Sequence, residues 1–187
     1  AWSVQASYGN DHGKLWLRSQ GLKTTGDEID PAAGGEVLWW RPATAFWGLQ
    51  LGARQDFGTG GRSWLAVGVE GISPFWFDVQ VTAYLSDDGG LGARLKSSYD
   101  ILLTNRLILA TGLEANLYGK SNEERSLGTG LGNVEIGVRL RYEWQRKFAP
   151  YVGYVWERSF AGTADRRRAS GDPVSEYRAV AGVRMWW

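Results

Sequence analysis

The segment that decides the fold is Val134-Glu135-Ile136-Gly137-Val138-Arg139-Leu140-Arg141-Tyr142. Apolar side chains alternate here with charged side chains or glycine, which is the period-two pattern of a β-strand with one apolar and one polar face. The same alternation recurs in residues 77–85, 107–117 and 177–187. Because it runs through most of the chain, the sequence predicts an all-β protein.

The strand lengths and the connections between them predict a transmembrane antiparallel up-and-down β-barrel. Several candidate strands have the roughly 9 to 11 residues that a tilted strand needs to cross a bilayer. Short and long connections alternate along the chain, so all the short turns lie at one end of the barrel. We expect this end to face the periplasm. We predict about ten strands, with eight or twelve as alternatives, since residues 2–8 also alternate. The predicted strands are residues 14–25, 36–41, 46–56, 63–71, 75–85, 91–99, 106–118, 133–144, 151–160 and 175–187.

Aromatic residues cluster beside the predicted short turns, where an interfacial girdle of a membrane barrel would lie. The alternative is a soluble eight-stranded carrier barrel of lipocalin type, with its apolar residues inside. That alternative would require the tryptophans to be buried at one end of the barrel. The girdle residues are Trp39, Trp40, Phe46, Trp47, Phe75, Trp76, Tyr99, Trp144, Phe148, Trp186 and Trp187.

Composition limits the remaining possibilities. The 187 residues suit a single domain, residues 1–187, in which residues 1–13 are expected to form an N-terminal periplasmic or plug segment. With 21 Lys+Arg against 20 Asp+Glu, the chain lacks the basic excess that nucleic-acid binding usually needs. It contains no Cys, and no apolar run is long enough for a membrane-spanning helix. A barrel whose β-strands cross the membrane is therefore the leading interpretation.

Apolar-out alternation places charged side chains of both signs in the predicted lumen. A charge inside a narrow barrel must be paired or hydrated, because an unpaired one carries a desolvation penalty of several kcal/mol. The charges either fill and rigidify the interior or line a polar route for a small ion. The principal lumen-lining residues are Arg54, Glu70, Asp78, Arg94, Glu114, Glu135, Arg139, Arg141, Glu157 and Arg178.

The sequence gives little support for catalysis. A Ser-His-Asp hydrolase needs a base beside its nucleophile, and the single histidine, His12, lies in a turn-like Gly9-Asn10-Asp11-His12-Gly13 stretch without a nucleophile motif. Phosphate-loop, dinucleotide and zinc-protease motifs do not occur. We predict that the chain is not an enzyme, and an outer-membrane hydrolase is kept as the least favoured alternative.

Several long motifs resemble the copper resistance protein B family of outer-membrane proteins, from about Gly13 to the C-terminus. They are Lys14-Leu15-Trp16-Leu17 with Gly21, the stretch 46–57 (FWGLQLGARQDF), Ser73-Pro74-Phe75-Trp76-Phe77, Asn116-Leu117-Tyr118-Gly119-Lys120, Arg139-Leu140-Arg141-Tyr142-Glu143, and 148–153 (FAPYVG) continuing through Trp156-Glu157-Arg158 to Gly162-Thr163-Ala164.

The resemblance implies a role in copper handling at the outer membrane of a Gram-negative bacterium, beside lipid, lipopolysaccharide and periplasmic copper proteins such as a multicopper oxidase. Family members commonly carry a Met- and His-rich N-terminal segment, which is absent from these 187 residues. With one Met and one His, any copper held here should be Cu(II) bound by carboxylates. The candidate metal ligands are Asp11, His12, Glu36, Asp56 and Glu176.

Two functions stay open beside the hydrolase. The barrel passes copper ions across the outer membrane through its charged lumen, or it is a structural barrel on which periplasmic copper-binding partners dock. Copper is the expected cargo or ligand, and no organic cofactor is expected. The acidic mouth predicted at Glu36, Asp56 and Glu176 would favour cation entry.

Overall fold

The computed structural model describes residues 2–21, 33–57, 61–121, 127–145 and 147–185. They form one antiparallel sheet in which each strand is hydrogen-bonded to its neighbours in sequence. The eleven strands are β1 Trp2–Asn10, β2 Gly13–Gly21, β3 Gly34–Pro42, β4 Trp47–Asp56, β5 Ser63–Ser73, β6 Phe77–Ser86, β7 Leu91–Leu102, β8 Leu107–Tyr118, β9 Gly130–Tyr142, β10 Phe148–Ser159 and β11 Ser175–Met185.

The described residues thus form one strand more than the ten predicted. The additional strand is β1, which pairs with β2 from Trp2 to Asn10. Residues 1–13 were expected to lie outside the barrel as a periplasmic or plug segment, and the structure corrects this for residues 2–10. The reason is local, because Val4, Ala6 and Tyr8 alternate with small polar residues and so satisfy the strand pattern.

The connections divide into a short-turn end and a long-loop end, as predicted. Of the described residues, 11–12, 43–46, 74–76, 103–106, 143–145 and 147 lie at the short-turn end, and 33, 57, 61–62, 87–90, 119–121, 127–129 and 160–174 lie at the long-loop end. The last of these loops contains the helix α1, Ala161–Ser170. None of the helices among the described residues is long and apolar enough to cross a membrane.

The sheet is strongly curved, and polar side chains on its concave face meet across it. Arg18 on β2 donates to Glu70 on β5 at 2.6 Å, and Lys96 on β7 donates to Gln20 on β2 at 2.9 Å. Strands this far apart in the sheet can touch only across a concave surface. Since side chains alternate between the faces, these contacts fix which residues of every strand point inward.

The convex face is apolar and exposed, which argues against the lipocalin-type alternative. In a soluble barrel these side chains would be buried, whereas here they form a band that suits a lipid environment. Its large exposed members include Leu17, Val37, Leu49, Leu51, Leu65, Val67, Val81, Leu85, Leu113, Ile136, Val138, Val152 and Val183.

Exposed aromatic rings gather at the short-turn end, but Trp40 of the predicted girdle lies on the concave face, where Lys14 is over its ring. Trp39, Phe46 and Trp144 are exposed there, while Trp186 and Trp187 lie outside the described residues. Phe75 and Trp76 form the tip of one turn with φ of 68° and 65°. A left-handed conformation costs a non-glycine residue roughly 1–2 kcal/mol, so strained backbone holds these two exposed rings at the interface.

Part of the concave face is apolar, which the alternation did not predict. The cluster consists of Leu38, Trp64, Ala66 and Tyr84, with Trp16 packed against it. Trp64 and Tyr84 meet edge to face, with ring centroids 6.3 Å apart. The interior on the β2–β6 side is therefore filled by side chains rather than left as a purely polar channel.

Candidate functional site

A row of directly paired residues crosses seven strands on the concave face, and five of its seven members are glutamates. Each member is the register partner of the next, so all seven side chains lie on one face. We call it the carboxylate row; from β5 to β11 it consists of Glu70, Gln80, Lys96, Glu114, Glu135, Glu157 and Glu176.

The carboxylate row runs from one end of the sheet to the other. Glu70 lies three residues before Ser73, the last residue of β5 at the short-turn end. Glu176 is the second residue of β11 and lies at the long-loop end. The strands of a curved sheet are tilted and staggered, so residues paired from strand to strand lie at successively different heights along the axis of the sheet. The carboxylates therefore span the height of the concave face.

Adjacent carboxylates in the row are held together by arginine and lysine. Like charges directly opposite each other destabilise an antiparallel pair, so Glu114, Glu135 and Glu157 need compensation. Arg178 supplies it, with 2.7 Å to Glu157 and 3.5 Å to Glu135. Lys96 lies 3.2 Å from Glu114. These side chains are only partly buried, so water reaches the row.

A second group, the Arg54 cluster, binds two of the predicted copper ligands. Arg54 Nε donates to Asp56 at 2.7 Å, and Arg94 Nη1 donates to Glu36 at 3.2 Å. Trp64 Nε1 also donates to Asp56, at 2.8 Å. Tyr84 completes the cluster, donating its hydroxyl to Glu36 at 2.9 Å.

The candidate metal ligands do not come together in the structure. Asp11 and His12 form the turn at the short-turn end, where both are exposed, whereas Glu36, Asp56 and Glu176 lie toward the long-loop end. Glu36 is level with Arg18, six residues along the chain from His12, so the Glu36 and His12 side chains start roughly 20 Å apart. The described residues contain no group of three or more His, Cys, Asp or Glu side chains that could hold a metal ion.

The two buried carboxylates have a structural use that the sequence did not indicate. Glu36 and Asp56 are almost fully buried, and arginine, tryptophan and tyrosine donors occupy their oxygens. Changing them to amides would remove counter-ions of the buried Arg54 and Arg94 guanidinium groups. Glu176 differs, because it is partly exposed and its nearest cation, Arg167 of α1, is 4.0 Å away.

The predicted lumen residues all lie on the concave face, by register. Arg141 donates to Asp100 at 2.9 Å near the short-turn end. Asp78 faces inward two positions from Gln80, and Arg139 does so between Gly137 and Arg141. The others belong to the carboxylate row, its counter-ions or the Arg54 cluster: Arg54, Glu70, Arg94, Glu114, Glu135, Glu157 and Arg178.

A charged clamp fastens the long-loop end. Asp88 in the β6–β7 turn binds Arg62 and Lys120, each at 3.1 Å. Hydrogen bonds from the Ser86 hydroxyl and then from Lys120 lower the pKa of Asp88 to about 2. On the same end, Thr163 of α1 accepts a hydrogen bond from the backbone of Gly128 at 2.9 Å. The loops around the mouth are thus tied to one another.

Sequence reasoning missed the uncharged members of the site. Trp64, Tyr84, Gln20 and Gln50 hold the charged groups in place, but none is titratable in the physiological range. Gln50, for example, donates to Glu70 and accepts from Gln80 at 3.2 Å. Their only sequence signal is that each occupies an inward position of the alternation.

The fold is similar to that of a porin of known structure. The match to the NanC porin has a TM-score of 0.57 and covers 100% of both chains, at 13% sequence identity. At this identity the likeness concerns the fold.

The sequence itself matches one family over its full length. The model of the family described as copper resistance protein B precursor (CopB) matches residues 1–187. The chain is 38% identical to copper resistance protein B of Escherichia coli and 42% identical to the copper resistance protein B homolog of Pseudomonas syringae pv. tomato. Both matches cover 100% of this chain but 63% of the relative, so the chain spans less than two thirds of their length. The chain belongs to the copper resistance protein B family.

Proposed function

We propose that this chain is the membrane-spanning barrel of an outer-membrane copper resistance protein and passes copper ions along the carboxylate row. The observation that carries the proposal is the row itself, which places carboxylates from the short-turn end to the long-loop end of the concave face. Carboxylate oxygens concentrate cations and can ligate Cu(II). That the cation is copper is inferred from the names of the family and of the relatives.

From Glu114 to Glu176 the route follows the β8–β11 side of the interior. The opposite side is occupied by the apolar cluster around Trp64 and by the Arg54 cluster. Glu135, Glu157 and Arg178 remain partly accessible. Glu176 is the candidate entry ligand at the outer mouth, and Asp11 with His12 would meet the ion at the periplasmic end. Bound copper would be held transiently by pairs of carboxylates rather than in a closed cage.

Passage requires a closed barrel, and the strand count indicates how it closes. In a sheet of eleven antiparallel strands the first and the last run in the same direction. Antiparallel closure therefore needs a twelfth strand between β1 and β11, consistent with the even strand numbers of bacterial barrels. We expect polypeptide outside the eleven strands to supply it. Direct pairing of β1 with β11 would be parallel.

Cysteine pairs test the closure in the folded protein. Ala6→Cys combined with Ala179→Cys, Ala181→Cys or Val183→Cys should give no disulfide, because an intervening strand keeps the backbones about 9–10 Å apart. The control is Ala6→Cys with Leu17→Cys, which are register partners and should cross-link. Resistance to unfolding in SDS shows that each variant is closed. A disulfide between β1 and β11 would establish parallel closure instead.

Copper flux into proteoliposomes tests the route. The double variant Glu135→Gln/Glu157→Gln should slow Cu(II) entry about tenfold, because it removes the charges that raise the local cation concentration. Zinc and nickel measured in parallel report selectivity. An entrapped copper-sensitive dye provides the readout.

The matched control is Asp165→Asn, which removes a carboxylate from the exposed surface of α1. It should leave the flux unchanged. Equal flux in the folded double variant and the unaltered protein would remove the carboxylate row from the pathway. Absence of copper flux in every variant would favour the docking barrel, and turnover of lipid or peptide would revive the hydrolase.

A further inference from the structure

The concave face contains a small cavity. Only two members of the carboxylate row, Gln80 and Lys96, line it. It lies between β2–β4 on one side and β6–β7 on the other. Four cations line it, against a single carboxylate: Arg18, Arg54, Arg94, Lys96 and, as the carboxylate, Glu36. A concave surface of this composition attracts a negative ligand.

One carboxylate that pairs with these cations, Glu36, lies in the lining, 3.2 Å from Arg94 and 3.5 Å from Arg54; the others lie outside it. Glu70 binds Arg18 Nη2 at 2.6 Å, and Asp56 binds Arg54 Nε at 2.7 Å. Glu114 binds Lys96 at 3.2 Å. These three carboxylates therefore orient the cationic side chains from outside the cavity, whose lining holds four cations and the one carboxylate of Glu36.

One nitrogen of a lining arginine, whose guanidinium group lies 5.3 Å from the centroid of the Trp16 ring, is buried without a hydrogen bond. Arg18 Nη1 is shielded from water and has no hydrogen-bond partner. Buried charged donors without a partner are rare, and each calls for an acceptor. Gln20 lies beside it in the lining and uses its carbonyl oxygen to accept from Lys96 at 2.9 Å. Lys96 is partly exposed, so a ligand can approach past it.

We propose that this cavity binds a small oxyanion, with Arg18 Nη1 as a donor and Arg54, Arg94 and Lys96 as the surrounding positive charges. The guanidinium groups suit an oxyanion because their N–H groups donate in pairs to its oxygens. The site shares Gln80 and Lys96 with the carboxylate row, and its other lining residues lie on β2–β4 and β7. Oxyanion binding there does not require copper passage.

Calorimetric titration of inorganic phosphate into the detergent-solubilised folded protein tests the site. We expect saturable binding with one phosphate per chain. Gln20→Glu should weaken it at least tenfold, because the new carboxylate still accepts from Lys96 but adds a negative charge to the lining. Arg18→Gln should produce a loss of similar size by removing the unused donor.

Gln55→Glu is the control for net charge. Gln55 lies on the convex face and accepts a hydrogen bond from Ser63 at 2.6 Å, which glutamate would preserve. This variant should bind phosphate like the unaltered protein. Absence of saturable binding, or equal weakening by Gln20→Glu and Gln55→Glu, would overturn the proposal. SDS resistance confirms that each variant is folded.

Discussion

Replacing Leu51 with arginine is expected to destabilise the membrane-embedded protein by about 2–4 kcal/mol. Leu51 lies at the middle of β4 on the convex face and is 60% exposed, so the guanidinium would enter the bilayer near its midplane. Its register partner Val67 is also exposed and apolar. Urea unfolding of the protein in lipid vesicles measures the change. Val138→Arg in β9 should behave in the same way.

Leu91 provides a control that differs only in depth. It has nearly the same exposure, 63%, but is the first residue of β7 at the long-loop end. Leu91→Arg should cost about 0–1 kcal/mol, because the arginine can reach the headgroups there. If both variants unfolded at the same urea concentration as the unaltered protein, the convex face would not be the lipid face.

Removing the charge of Arg54 is expected to be the most damaging change on the concave face. Arg54→Met would leave Asp56 and Glu36 as buried carboxylates short of a cation, at a cost of about 3–5 kcal/mol. Arg54 is 8% exposed, so little water can take its place. Chemical unfolding followed by the total tryptophan fluorescence of the protein measures the loss.

Arg62→Met is the matched change at the rim. Arg62 binds Asp88 in the exposed clamp of the β6–β7 turn, and surface pairs contribute little to stability. The unfolding midpoint of this variant should equal that of the unaltered protein. An Arg54→Met variant with the same midpoint would show that the Arg54 cluster is hydrated rather than buried.

Most of the fold followed from the alternation, because the facing of a strand is a local property of its sequence. Val134 to Tyr142 carries the pattern clearly, and the structure assigns each of its side chains to the predicted face. The first strand was harder to predict because it contains no charged residue to mark its polar face. Its place in the sheet depends on pairing with β2, which the alternation of one segment cannot reveal.

The site was less predictable because register and curvature create it. Alternation put Glu114, Glu135 and Glu157 inside, but only the pairing register makes them direct neighbours. Likewise, Glu36 meets Arg94 across four strands, a contact that no sequence spacing encodes. The predicted acidic mouth therefore separates into a buried structural pair, Glu36 with Asp56, and a more accessible Glu176.

Pairing between sequence neighbours alone also determines how the molecule would respond to a pulling force. Each described strand is held by the strands next to it in sequence, so traction on the C-terminus would extract β10 and β11 as a hairpin before reaching the others. The long bonds from Arg18 to Glu70 and from Lys96 to Gln20 join β2, β5 and β7 across the interior. Those strands would resist as one mechanical block, and the force would rise when extraction reached β7.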